Sequence, residues 1–460
     1  MTDKKTGKRD RQDKNLDRGS VLGRAARYAK VSTTMGGLAA KLASQKYLGR
    51  EIDKPEHAKQ LTAALGNLKG PLLKVAQLLV TIPQALPPEY TAELQQLQAD
   101  APPMGWPFVK RRMRAELGAD WQDKFQEFTH DAVAAASLGQ VHKGITPDGQ
   151  TVACKLQYPD MESAVKSDLS QLKLILSIFE SYDKAIDTKE IYKEITERLF
   201  EELDYKREAR HTKMYGYMLR DQKNVYVPEV IDDLSTGRLL TASWLEGQKI
   251  MTYKDAAPDV RAQIAMNMFH AWYVPFYHYG IIHGDPHPGN YTIRDDLSVN
   301  LLDFGCVRIF PPKFVQGVID LYRALRDDDP ELTVSAYKRW GFENINKDML
   351  EILNVWARFL YGPILEDKTR PIGIVQEGQG VYGRETAEKV HQELRRAGGV
   401  KVPREFVFMD RAALGLGSVF LHLKAEVNWY KLFNDLTQDF SVEKLEENQK
   451  QVLDRFDLKA

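Results

Sequence analysis

Cysteine is scarce in this chain, with 2 among 460 residues, Cys154 and Cys306. Two thiols are too few for a disulfide framework, and no Cys-x-x-Cys is present, so a reducing compartment is expected. Long apolar runs are missing too. Spanning a bilayer takes about 20 consecutive apolar residues; the best stretch, Ala412 to Leu423, is shorter, contains His422 and stops at Lys424. The opening Met1-Thr2-Asp3-Lys4-Lys5-Thr6-Gly7-Lys8-Arg9 lacks the apolar core of a secretory signal. Asp3, Asp10, Asp13 and Asp17 run against a mitochondrial presequence. The expected location is therefore cytoplasmic, with at most peripheral contact at the inner face of a membrane. Net charge is absent as well, since 64 Lys and Arg balance 64 Asp and Glu. The balance is uneven: residues 1–60 hold 15 basic against 7 acidic side chains. Such a surplus suits an anionic surface or a solvated tail.

What is present reads as a globular protein large enough for one two-lobed domain with extensions. Residues 1–20 form a basic tail expected to be disordered. A helical extension is expected over 21–125. Its first part, 21–48, mixes Val21, Leu22, Leu38 and Leu42 with Arg24, Arg27, Lys30, Lys41 and Lys46. That pattern suits a helix on a membrane surface or one packed on the body of the protein. A β-rich lobe with inserted helices is expected over 126–247. Within it Val141 to Gly144, the turn Thr146-Pro147-Asp148-Gly149, and Thr151 to Leu156 read as a hairpin. Val225 to Ile231 and Arg238 to Trp244 read as further strands. A helical lobe is expected over 248–460, interrupted by short strands at Tyr291 to Ile293 and Val299 to Leu302. Phe269, Trp272, Tyr273, Phe276 and Tyr277 have helical core spacing.

The chemistry centres on His283-Gly284-Asp285-Pro286-His287-Pro288-Gly289-Asn290, followed by Asp303-Phe304-Gly305. An Asp followed five residues later by an Asn on a loop suits phosphoryl transfer: Asp285 orients or deprotonates a hydroxyl, and Asn290 holds Mg²⁺ through its amide oxygen. Asp303, at the end of an apolar strand, is placed to bridge Mg²⁺ to phosphates. Lys155, in Val152-Ala153-Cys154-Lys155, alone reads as a surface lysine. Beside this motif it reads as a fixed cation for the phosphates, with Glu208 the best candidate to hold it. Cys154, its neighbour on the strand, should face the opposite way into the core. His287 has no His or Cys at metal spacing and reads as structural. Where a protein kinase carries a glycine-rich loop this chain has Ala134-Ala135-Ala136-Ser137-Leu138-Gly139-Gln140, which should be stiffer. After Gly305 a helical pattern begins within a few residues, leaving no activation segment and no Ala-Pro-Glu.

These segments, together with Lys74-Val75-Ala76-Gln77 and Glu202-Leu203-Asp204-Tyr205, resemble the UbiB (AarF/ADCK-type) family of atypical kinase-like proteins. The resemblance covers roughly 65–330. It implies an α+β, bilobal protein-kinase-like fold with a small β-rich N-lobe, a large helical C-lobe and an N-terminal helical extension over the active site. ATP and Mg²⁺ are the implied cofactors. Ala135, Ala136, Ser137, Leu138, Gly139, Gln140, Lys155, Glu208 and, at the hinge, Trp244 would meet nucleotide. Lys74 would pair with Glu202 and Gln77 would point into the cleft, with Asp204 in the same gating group. The implied activity is an ATPase or atypical phosphotransferase supporting ubiquinone biosynthesis. The implied partners are a lipid or quinone precursor, quinone-biosynthesis enzymes and a membrane surface, with no nucleic acid. Ala76 departs from the family's Lys-x-Gly-Gln. Two alternatives stay open: a nucleotide-gated, non-catalytic scaffold, and an aminoglycoside- or choline-type phosphotransferase, which shares the His-Gly-Asp loop but not the alanine loop.

Overall fold

The computed structural model describes residues 104–136, 138–182, 188–342, 345–372, 393 and 404–459. The basic tail, the 21–48 segment, Lys74, Ala76, Gln77 and Ser137 lie outside them. The chain divides into two compact units. One comprises the described part of Met1–Lys206 with Val230–Trp244; the other comprises Arg207–Glu229 with Leu245–Ala460.

The first unit opens on α1 (Trp106–Leu117), with Pro107 in its first turn. Gly118, at φ 97°, ends it. Phe108, Val109 and Met113 make its buried face. Between them Arg112 donates from Nε to the Gln157 carbonyl (3.1 Å) and from Nη1 to Glu116 (3.0 Å). An antiparallel sheet follows from β1 (Glu127–Phe128), β2 (Ala134–Ala136), β3 (Gly139–Ile145) and β4 (Thr151–Gln157). The hairpin between β3 and β4 falls where the sequence places it, and Gly149 takes the left-handed conformation its turn requires (φ 85°). Along β4, Val152, Cys154 and Leu156 are buried while Thr151, Ala153 and Lys155 are half-buried, the two-residue alternation of a strand with one core face. Helices α2 (Met161–Tyr182) and α3 (Thr188–Leu203) come next, and α4 (Tyr205–Met218) begins here but belongs to the second unit from Arg207 onward.

The strand expected over Val225 to Ile231 is split. Only Val225–Tyr226 forms β5, which belongs to the second unit, while Val230 makes a single bridge to Ala242 on β6 (Leu239–Ser243) of the first. Pro228 lies between them and has no N–H to give a ladder. The β6 strand closes the sheet against β4.

In the second unit β7 (Gln248–Lys249) precedes α5 (Pro258–Tyr279). Phe269, Trp272, Phe276 and Tyr277 on α5 are buried in the main core, and Phe269, Tyr273 and Tyr277 also line an apolar cavity of about 100 Å³. Gly280, at φ 67°, ends α5 and releases the chain directly into β8 (Ile281–His283). Then come β9 (Tyr291–Ile293), β10 (Val299–Leu301) and β11 (Val307–Ile309). They form two small sheets: β5-β10-β9-β7, and the antiparallel pair β11-β8. Among the described residues the remaining helices are α6 (Pro312–Asp327), α7 (Pro330–Arg339), α8 (Lys347–Tyr361), α9 (Arg404–His422), α10 (Trp429–Thr437) and α11 (Val442–Arg455). The result is mixed α+β, with a β-rich N-terminal lobe and a helical C-terminal region. Among the described residues no helix is long and apolar enough to cross a membrane.

Candidate active site

Two three-residue strands set the frame of the site. In β8 and β11, His283 pairs with Val307, and the Gly284 N–H extends the ladder to the Cys306 carbonyl at 2.7 Å. The Asp285 loop is thereby fixed to the segment that follows Asp303. His283 is fully buried between them. Its Nε2 lies 2.7 Å from the Asp303 carbonyl and its Nδ1 lies 3.3 Å from the Asp285 N–H. One neutral tautomer satisfies both contacts, Nε2–H donating and Nδ1 accepting.

Asn290 ends a short 3₁₀ turn, Pro288–Asn290, which His287 caps by accepting the Gly289 N–H at 3.0 Å. That contact is the structural role expected of His287. The Asn290 amide donates to Asp285 Oδ2 at 2.9 Å. Its main-chain carbonyl receives the Leu302 N–H at 2.9 Å, which brings Asn290 beside the residue preceding Asp303. Asp303 stands at φ 57°, and its Oδ1 accepts the Gly305 N–H at 3.2 Å. Left-handed backbone at a residue with a Cβ costs about 1–2 kcal/mol, so its surroundings must hold it there. Tyr291 is buried beneath the loop, and its hydroxyl is 3.4 Å from the Asp285 carbonyl. Burial foremost, then the nearby Asp285 charge, holds its phenol well above the ordinary value.

On α4, Glu208 is buried. A methyl group on Gly305 would lie 3.3 Å from Asp303 Oδ1 and 3.9 Å from Glu208 Oε2, so both carboxylates converge on that glycine. One helical turn on, His211 is buried and its Nδ1 lies 3.1 Å from the Phe304 carbonyl. Burial, with Arg207 next in weight, lowers its pKa to about 3, so the imidazole is neutral and Nδ1–H is the donor.

In the first unit, Lys155 extends its Nζ over the Tyr205 ring at 5.3 Å from the centroid. Gly139 is required by packing: a Cβ there would meet the Leu156 carbonyl at 2.3 Å and the Tyr205 hydroxyl at 2.9 Å. Ala135 and Ala136 lie on β2, paired to Gln140 and Gly139, so the alanine segment is one arm of a β-hairpin. Leu138 is buried at its tip. Gln140 turns its side chain inward: Oε1 accepts the Met104 N–H (2.7 Å), and Nε2 reaches the Met104 carbonyl (3.1 Å) and His142 Nε2 (2.8 Å). Glu202 lies on α3, and Asp204 is the exposed residue between α3 and α4. Trp244 follows β6, its N–H donating to the Thr151 carbonyl at 2.9 Å. Cys154 is buried as expected, and desolvation pushes its thiol up to about 12.

The structure thus gathers Asp285, Asn290, Asp303 and Glu208 in one unit and sets Lys155 and the alanine hairpin in the other. His283 and Tyr205 stand inside the motifs of the sequence without a role of their own there, and His211 stands outside them. The one available signal is that Glu208 and His211, three apart on a helix, share a face.

Comparison with known proteins gives the family. The family model of the ABC1 atypical kinase-like domain matches residues 96–336. A worm relative, the atypical kinase coq-8, mitochondrial, of Caenorhabditis elegans, is 26% identical over 438 residues, covering 91% of this chain and 57% of that protein. The Saccharomyces cerevisiae atypical kinase COQ8, mitochondrial, is 30% identical over 272 residues, 58% of this chain and 54% of its own length. The chain thus spans little more than half of these two curated relatives. Among solved structures, Rv3197 of Mycobacterium tuberculosis, in complex with erythromycin, is similar at a TM-score of 0.61 and 26% identity, over 86% of this chain and 98% of its own. The fold and site define an atypical kinase-like protein. The chain belongs to the ABC1 atypical kinase-like family, the UbiB group that includes the COQ8-type kinases.

Proposed function

We propose that this chain is a Mg²⁺-dependent ATPase or small-molecule phosphotransferase that supports ubiquinone biosynthesis. The observation that carries this reading is the joined set of Asp285, Asn290 and Asp303: a 2.9 Å hydrogen bond from Asn290 to Asp285 Oδ2, and one buried imidazole spanning Asp285 and Asp303.

The donor set fits Mg²⁺. Because the Asn290 amide N–H is committed to Asp285, its hard Oδ1 is the atom left to coordinate, alongside the Asp303 carboxylate. Among the described residues no cluster of three His, Cys, Asp or Glu forms an all-protein cage. Mg²⁺ on a nucleotide commonly takes one or two protein oxygens and completes its shell with phosphates and water. When bound, the ion supplies charge neutralisation at the phosphates. Lys155, steadied over Tyr205, adds a fixed cation for the phosphates. Asp285, with Oδ2 held by Asn290, keeps Oδ1 to accept the proton of an attacking hydroxyl or water. Lys74 and Gln77, with Glu202 and Asp204, are the residues to which the family resemblance gives a gating role. The family resemblance implies a small, lipid-like acceptor, and the short stretch from Cys306 to Pro311 between Gly305 and α6 supports a substrate other than a docked peptide. The COQ8-type relatives support the link to quinone metabolism.

The test is Mg-ATP binding and phosphate release by the full chain, wild type against Asp303→Asn. The variant is expected to release phosphate on the order of 10²-fold more slowly. Equal rates would refute the site.

A further inference from the structure

We propose that His211 is a positioning residue for the Asp303-Phe304-Gly305 turn: from the helix that carries Glu208 it grips the Phe304 carbonyl and locks the two carboxylates that meet at Gly305. The catalytic consequence of this inference rests on the ATP reading above; the mechanical part does not.

The turn is held at two consecutive carbonyls by two buried imidazoles. His283 takes Asp303 at 2.7 Å, and His211 takes Phe304 at 3.1 Å. The first grip comes from the loop that carries Asp285, the second from α4. Between them the Phe304 ring is buried against Tyr215 of α4, centroids 4.9 Å apart, and against His283, 5.6 Å apart. Asp303 sits in left-handed backbone that a free chain would leave, so the turn needs fixed partners on both sides. Removal of one grip lets the main chain at Asp303 relax and carry its carboxylate with it.

The chemistry of His211 suits a permanent clamp. A carbonyl oxygen only accepts, so the bond demands hydrogen on Nδ1. Burial first, and then like charge from Arg207, Arg308 and Arg210, disfavours the imidazolium and keeps the bond a neutral one. Glu208 and His211 also move as one body, one turn apart on α4. Displacement of this helix would therefore shift a carboxylate and a backbone clamp together. The sequence of the Asp303 loop contains neither element.

The experiment compares wild type, His211→Leu and His211→Asn in the full chain. Asparagine places an amide N–H near the position of Nδ1; leucine keeps bulk without a donor. Hydrogen–deuterium exchange of peptides covering 303–307 is expected to speed up at least about tenfold in His211→Leu and to stay within about threefold of wild type in His211→Asn, with peptides from α5 unchanged. Phosphate release should follow the same order, kcat falling roughly 10- to 100-fold in the leucine variant while KM for ATP moves less than about twofold. Unchanged exchange at 303–307 in His211→Leu would overturn the proposal. Equal impairment by leucine and asparagine would overturn it as well, since restoring the N–H would then restore nothing. If exchange follows the expected order while wild type neither binds nor hydrolyses Mg-ATP, the clamp stands and the ATP reading falls.

Discussion

Gly415→Ala should slow the reaction while leaving the fold almost as stable as before. A Cβ built at Gly415 on α9 would lie 2.1 Å from Pro286 Cγ and 2.8 Å from its Cβ, against ordinary contact from 3.4 Å outwards. The gap must open by about 1.3 Å, and either the helix or the loop has to move. The helix is the stiffer body: Phe406, Ala412, Leu416, Val419 and Phe420 anchor it in the core. Pro286, by contrast, is only half-buried between Asp285 and His287. The loop therefore yields, and Asp285 moves with its neighbour. A misplacement of about 1 Å at a reacting group can cost on the order of 10²-fold in rate. Stability shifts less, because overpacking costs about 1–3 kcal/mol and alanine in a helix interior returns roughly 0.5–1 kcal/mol over glycine. Steady-state phosphate release and thermal unfolding, measured on the same preparation, separate the two effects. Unchanged kcat with a large fall in Tm would show that the helix gives way and would refute the reasoning.

Two further outcomes are expected. Burial lowers the pKa values of His142 and His211, the latter to about 3, so the unfolded chain binds protons that the folded one refuses as pH falls below 6.5. Stability from these groups is complete above that value and is lost progressively below it, by at most about 1.4 kcal/mol per pH unit for each histidine. Denaturant unfolding from pH 7.5 to 4.5 should show this slope, and a slope in His142→Asn as steep as wild type would count against the assignment. Cys154, buried and shifted up to about 12, should stay unmodified when native protein is treated with iodoacetamide at pH 8, and should react once the chain is unfolded. Peptide mass mapping reads the result, and rapid native labelling at Cys154 would contradict its burial.

The reactive residues are legible in the sequence because short loops carry them. Asp285 and Asn290 are five apart, and Asp303 follows one hairpin later, so spacing along the chain nearly reproduces proximity in space. The two-residue alternation that turns Cys154 inward and Lys155 outward is equally local. The supports are not. Gly415 meets Pro286 across more than a hundred residues, and nothing near either position encodes the approach. His211 reaches Phe304 from another helix. Strands β8 and β11 are three residues each, too short for a periodic signal, yet their pairing fixes the Asp285 loop to the stretch after Asp303. Gln140 lies in a segment that resembles a phosphate loop, but its amide serves Met104, a partner that no motif specifies. The strand expected over Val225 to Ile231 fails at Pro228, where an apolar pattern outweighs the missing N–H only in a linear reading.

The stretch from Cys306 to Pro311 has a kinetic consequence. Half of it is bound into β11 before α6 begins. In a connector this short, with three of its six residues paired to β8, the order–disorder transition by which longer loops set a waiting time should play no part. Turnover should begin without a lag when nucleotide and acceptor are mixed, its pace set by their supply. A covalent mark on this stretch would have no loop to reorganise; a change in rate has to arrive through a helix that backs the site.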